Sequence, residues 1–304
     1  MTIAPPAPPT RHDIARRLLR SSERLSFDPT TELDWDAPLD PSLPAIPLHR
    51  VSLYGTELWE SMTHEQRVLL SWHEFASISA VGLWFELCLM QALLRYSYDQ
   101  DPHQADAQYA LTEVGDETRH SVMFARVASA LAPGTRYGPS PAVHRLGRAW
   151  KTVAAGPAMF ASVLVAEETL DRLQREMLPM DGLLPLAQGV ARIHVTEEAR
   201  HVSFARAAVQ RQVPRTGRLT LAWHRLATAV TAGFVVHSFI DPRVYDAVGL
   251  DRAEAVRQAK ANPHHAETRL WMAEKVLGFL SDNGMITRAT APLWRRLGLL
   301  RPAG

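Results

Sequence analysis

Cysteine is almost missing from this chain: Cys88 is the only one in 304 residues. A disulfide within the chain is therefore excluded, as is any thiolate-rich metal site, and a reducing compartment, the cytoplasm, is the expected setting. Net charge is nearly missing too, with 33 Lys and Arg against 32 Asp and Glu. Nucleic acids and membrane surfaces attract clustered excess charge, so neither is an expected partner. Among the most apolar stretches, 80–94 carries Glu86 and Gln91 and is read as short of a membrane span. Residues 1–10 have neither a basic n-region nor an apolar h-region, so no targeting segment is expected. Alternating strand patterns bounded by turn residues are lacking as well.

What the chain does have is proline at its start and helical periodicity afterwards. Pro5, Pro6, Pro8, Pro9, Pro29, Pro38, Pro41, Pro44 and Pro47 crowd residues 1–48, a density that argues against long helices and predicts an arm wrapped over the surface. From Thr63 apolar residues recur at helical spacing, and Thr63 with Gln66 matches a capping box. The pattern predicts long helices over about 64–97, 105–131, 142–177 and 184–212, the third with a break expected at Gly156–Pro157. An apolar helix over about 219–239 and shorter ones over 251–261, 265–283 and 289–297 follow. The fold class is all-α: a four-helix bundle with additional C-terminal helices and a proline-rich N-terminal arm. Residues 49–304 are expected to form a single helical domain, with its bundle core at 64–212 and an extension at 213–304.

Two of the predicted helices carry the same motif. Asp116-Glu117-Thr118-Arg119-His120 and Glu197-Glu198-Ala199-Arg200-His201 both read acid-Glu-x-Arg-His, and both are followed by Phe-Ala-Arg. Residues three apart share one helix face, so Glu117 with His120, and Glu198 with His201, can each present a carboxylate and an imidazole to one cation. His194 extends the second pair into an i, i+4, i+7 stripe with Glu198 and His201. The other two bundle helices each embed an acid in apolar surroundings: Glu86, with Glu74 as its rival, and Glu167, with Glu168 as its rival. One Glu from each of two helices plus Glu-x-x-His from each of two others is the dinuclear carboxylate layout of helical bundles. Mixed oxygen and imidazole donors suit iron or manganese better than calcium or magnesium. Glu168 is alternatively paired with Arg172 on a solvated face. Asp116 and Glu197 are either exposed or acceptors for the second imidazole N–H; Arg119 and Arg200 are either outer charges or ordinary surface residues. Trp84, Phe85, Leu87 and Met90 read as bundle core that can double as an apolar cavity lining.

These residues resemble those of the p-aminobenzoate N-oxygenases, a family of ferritin-like non-haem diiron enzymes. The family carries one extra histidine a helical turn before its last Glu-x-x-His, and His194 stands at that place. The resemblance covers about residues 64–212 and implies, position by position, that Glu86, Glu117, His120, Glu167, His194, Glu198 and His201 are seven metal ligands. It further implies two iron ions (manganese being the alternative), O2 as co-substrate, an external electron donor, and oxygen transfer to the nitrogen of an arylamine or amino-substituted small molecule. A homodimer is implied as well. The dinuclear centre would itself be the catalytic unit, with no separate protein base assigned. No motif outside the bundle identifies a substrate, and the family's arginine for a substrate carboxylate finds no counterpart. Read without the resemblance, the same ligand set also serves C–H hydroxylation, desaturation or a non-catalytic iron-binding bundle.

Overall fold

The computed structural model describes residues 10–302, and among these all regular structure is helical. The α-helices are α1 (Arg11–Arg24), α2 (Pro29–Glu32), α3 (Glu57–Ser61), α4 (His64–Tyr98), α5 (Ala105–Leu131), α6 (Pro141–Val153), α7 (Gly156–Met177), α8 (Pro185–Gln212), α9 (Arg218–Ser238), α10 (Arg252–Ala261), α11 (Pro263–Asp282) and α12 (Ala291–Arg296). Helices α4, α5, α7 and α8 form the bundle, α4 lying chiefly against α5 and α7 against α8. The predicted capping box starts α4: Gln66 N–H donates to Thr63 Oγ1, and Thr63 N–H donates to Gln66 Oε1. Helix α7 is buried without interruption from Pro157 to Leu170, as expected of a helix enclosed on every side. The enclosure comes from α8, α9 and α11. The expected break falls between α6 and α7, where Gly156 adopts φ 60° and Pro157 opens the next helix.

Two expectations need correction. The arm contains a 14-residue helix, α1, because no proline stands between Pro9 and Pro29 and a Thr10–Asp13 capping box starts it. Its Ala15 and Leu18 face inward, and α1 lies across α5 and α8. Pro5, Pro6, Pro8 and Pro9 lie outside the described residues. Nor is the rest of the arm only a surface wrap: Ala45 and Ile46 are fully buried in a hydrophobic cluster with Phe75, Met123 and Val190. The second correction concerns membrane spans. Two segments, His64–Tyr98 and Arg218–Val248, are long and apolar enough to cross a bilayer by length and composition. The apolar window of α4 is 61% buried inside the protein, and the helix carries the buried acids Glu74 and Glu86, features of a core helix. The window around α9 is 39% buried, with Leu219 and Trp223 open to solvent.

Helix α6 seats on α4 through a close approach at Gly147, where an added methyl would overlap the Trp84 indole. Gly115, within α5, has nothing within 4 Å of such a methyl. Gly147→Ala is therefore expected to destabilise the protein by about 1–3 kcal/mol. Gly115→Ala should stabilise it by about 0.5–1 kcal/mol through helix propensity. Chemical denaturation of the two variants beside the parent measures both signs.

Candidate metal centre

Each bundle helix delivers acids or imidazoles to one buried focus. Helix α4 brings Glu86, α5 brings Glu117 and His120, α7 brings Glu167, and α8 brings His194, Glu198 and His201. None of the seven is more than 2% exposed. The His120 Nδ1 atom lies 2.9 Å from Glu117 Oε2 and 3.5 Å from Glu198 Oε1. On the other side, His201 Nδ1 lies 2.9 Å from Glu117 Oε1 and 3.0 Å from Glu198 Oε1. Glu117 and Glu198 thus sit between the two imidazoles, each within reach of both. His194 Nε2 faces three carboxylates at once: Glu86 at 3.7 Å, Glu167 at 3.8 Å and Glu198 at 3.6 Å.

The donor set fits cations better than it fits itself. Glu86 Oε2, Glu198 Oε2 and His194 Nε2 are shut from solvent without a hydrogen-bond partner. Such atoms are costly unless something electropositive occupies the space between them. Bonds of about 2.1 Å from one ion put its donors roughly 3–4 Å apart, the spacing found around His194. Groups of three donors that share a 4.8 Å neighbourhood include Glu86–His120–His194, Glu117–His120–Glu198 and Glu167–His194–Glu198.

Electrostatics point the same way. Burial and the neighbouring carboxylates hold Glu86 and Glu167 well above the usual carboxyl range. Burial also acts on Glu198, but the imidazoles of His201 and His194 outweigh it and hold that carboxyl well below the usual range. For His201, burial is outweighed by the charges of Glu198 and Glu117, and the imidazole is raised well above its ordinary value. His194 is lowered to about 4 by burial. Protons thus stand in for cations in this cluster, and binding metal means displacing them.

A second ring of side chains orients the imidazoles. His120 Nε2–H donates to Glu197 Oε2 at 2.8 Å, His201 Nε2–H to Asp116 Oδ2 at 3.1 Å, and His194 Nδ1–H to Gln174 Oε1 at 2.7 Å. Asp116 and Glu197 are both buried, so of the two readings of these acids the imidazole acceptor holds. The arrangement is crossed: the acid on α5 serves the histidine on α8, and the acid on α8 serves the histidine on α5. Arg200 ties the ring to the arm, donating to Asp116 Oδ2 at 3.0 Å and to Leu25 O at 2.8 Å. Arg119 contacts Asp116 and donates to Ser26 Oγ at 2.8 Å, while Phe27 N–H donates to Glu197 Oε1 at 3.0 Å. Against burial, the bonds from His201 and Arg200 hold Asp116 at about 2, ionised throughout the working range.

The rival acids separate in space. Glu74 points away to residues 51–53, accepting from Ser52 N–H at 3.1 Å and from the Ser52 hydroxyl, and burial raises it to about 7. Glu168 is buried against Arg206, with Arg206 Nε–H donating at 2.8 Å. The expected Arg172 partner is instead spent on Trp271 O and Glu274, which also removes the solvated-face reading of Glu168. Phe85 is core, whereas Leu87 is 45% exposed. Sequence reasoning missed Gln174 and Glu113. Both were within reach of the helical repeat: Gln174 stands two turns after Glu167, and Glu113 one turn before Glu117. Glu113 is buried and held at about 8 by that burial.

Beside the bundle lies a cavity of about 880 Å³ with Ile78 of α4, Leu173 of α7 and Met272 of α11 in its walls. Arg50, Arg243 and Arg252, which also line it, pair with Glu176, Asp241 and Asp246. Arg269 lines it without a carboxylate partner among the described residues, its Nε buried and unbonded.

Comparison with known proteins adds a family. The profile described as "P-aminobenzoate N-oxygenase AurF" matches residues 8–284. "Uncharacterized protein Rv0885" of Mycobacterium tuberculosis is 27% identical over 291 residues, covering 91% of this chain and 84% of the relative. "Uncharacterized protein Mb0909" of Mycobacterium bovis is similar to the same extent, 27% over 291 residues.

Two outcomes follow from the site's surroundings. Asp116→Asn and Glu197→Gln should each weaken metal binding by about 10–100-fold, because each frees the imidazole it orients; titration of metal-free protein with Mn2+ measures this. Glu74 has a folded value above its ordinary 4.5, so the folded state holds its proton more tightly and stability falls as pH rises from 4.5 to about 7. Glu74→Gln is therefore expected to gain on the order of 3 kcal/mol over the parent at pH 8 and little at pH 4. Denaturant titrations at the two pH values check the sign.

Proposed function

Because the chain belongs to the P-aminobenzoate N-oxygenase AurF family, we propose that it is a non-haem diiron oxygenase acting on the nitrogen of a small amino-substituted, and most simply aromatic, molecule. The observation that carries this reading is His194 Nε2, buried, unbonded and facing Glu86, Glu167 and Glu198 from one position. Two iron ions would be held by Glu86, Glu117, His120, Glu167, His194, Glu198 and His201, and manganese accepts the same donors. When bound, the two ions supply reductive activation of O2, with electrons from an external donor.

The chain's own residues do the rest. Glu117 and Glu198, set between His120 and His201, would hold the ions together with these two imidazoles. Asp116, Glu197 and Gln174 keep one nitrogen of each imidazole protonated and turned outward, so the other stays free for the ions. Burial by the apolar walls of α4 and α7 excludes bulk water. The small-molecule substrate is assigned to the cavity walled by Ile78, Leu173 and Met272, where Arg269 is placed to pair with an acidic group. Leu173 is the chain neighbour of Gln174, so the cavity wall and the acceptor that orients His194 share one stretch of α7. The single buried Cys88 accords with a reducing cytoplasmic setting.

The competing reading, oxidation of a C–H bond on the same ligand set, is favoured by a long, narrow apolar tunnel; a cavity lined with arginines supports the small-molecule reading instead. The test is to load the full chain with Fe2+, supply a chemical reductant and O2, and present aromatic amines with and without a carboxylate. Mass spectrometry should find oxygen on nitrogen. Arg269→Gln should raise KM for the acidic amines by at least about tenfold, with kcat little changed. Amines left untouched while aliphatic acids gain oxygen or lose hydrogen would replace this reading with the competing one.

A further inference from the structure

Helix α5 buries one acid that the ligand set does not use. Glu113, one turn before Glu117, is 1% exposed, and its Oε2 meets no hydrogen-bond donor. A side chain so placed has to be accounted for, because removing a carboxyl from water without a partner is costly. A role as partner to Tyr109, a turn earlier on the same face, does not account for it. The Tyr109 hydroxyl is itself buried without a partner, so the two are not bonded to each other. What Glu113 does face is metal donors: its carboxylate and donor atoms of Glu117 and His201 lie within 4.8 Å of one another.

We propose that Glu113 is a further metal ligand, an eighth donor that closes the His201 side of the dinuclear centre. Glu86 and Glu167 face His194, so without Glu113 the carboxylates at His201 Nδ1 are Glu117 and Glu198, both shared with His120, Asp116 being on the opposite nitrogen. Glu113 gives that side a carboxylate of its own. The terminal torsion of a glutamate is soft, so the carboxylate can turn toward an ion without moving α5. Access to the ion on that side is then governed by Glu113, which can bind or swing clear.

The inference rests on the proposed dinuclear centre, and its test separates the two. Metal-free full-length protein is titrated with Mn2+ to obtain the stepwise affinities, and with Co2+ to record the visible absorption, which reports the donors on the ion. Parent protein should take two ions. Glu113→Gln should weaken one step by at least about tenfold, leave the other within about twofold, and change the Co2+ spectrum. Tyr109→Phe should match the parent in both measurements. Unchanged affinities in Glu113→Gln, or weakened affinity with an unchanged Co2+ spectrum, would overturn the inference while leaving the centre standing. Tyr109→Phe reproducing the Glu113→Gln result would overturn it too. A parent that binds neither ion would remove the centre itself. Circular dichroism checks each fold, and Glu113→Asp, one methylene shorter, serves as the second variant with the same expected loss.

Discussion

Carboxylates repel one another, and this chain brings Glu86, Glu113, Glu117, Glu167 and Glu198 together where water cannot screen them. Burial first, and the neighbouring carboxylates after it, hold Glu86, Glu113 and Glu167 on the neutral side, while against burial the imidazoles hold Glu117 and Glu198 on the ionised side. A cluster of this kind destabilises the apo fold and gains from any divalent ion that replaces the protons. The surrounding structure can be understood as a means of holding that cluster in place.

Rigidity around the cluster comes from the way the imidazoles are held. Each is bonded through its outward nitrogen to an acceptor that cannot itself donate a proton, or, for Gln174, through the amide oxygen. Asp116 and Glu197 are fixed in turn by Arg119, Arg200 and the backbone of the arm. Because the acids serve histidines on the opposite helix, α5 and α8 are cross-linked twice, and neither can slide along the other without breaking both bonds. The internal repeat in the sequence, acid-Glu-x-Arg-His, is thus a two-fold exchange of partners.

Most of the bundle was legible in the sequence because its helices are long and sharply ended. The helix expected at 105–131 is α5 to the residue, and that expected at 184–212 differs from α8 by one. Helical spacing pairs Glu117 with His120 and aligns His194, Glu198 and His201, whereas Glu86 and Glu167 keep Glu74 and Glu168 as rivals and the full set of seven comes from the family resemblance. What was not legible depends on contacts between distant segments. Helix α1 is masked by the proline density of the arm as a whole, although residues 10–28 contain none. Arg206 as the partner of Glu168 lies on another helix, so no i+4 rule could find it. Gln174 and Glu113 were findable by period alone, but an amide, or a third acid on α5, has no place in a two-carboxylate, two-histidine pattern.

The arm's hold on Arg119, Arg200 and Glu197 has a bearing on how the molecule is made. Arg200 and Leu25 are separated by 175 positions in the chain, so their bond closes a very long loop. Closure of that kind carries an entropic cost that is recovered only when the intervening helices have already docked. A nascent chain that ends after α5 holds half the acids but none of the braces supplied by α8. Assembly of the seven clustered donors is thereby deferred until synthesis has passed residue 200.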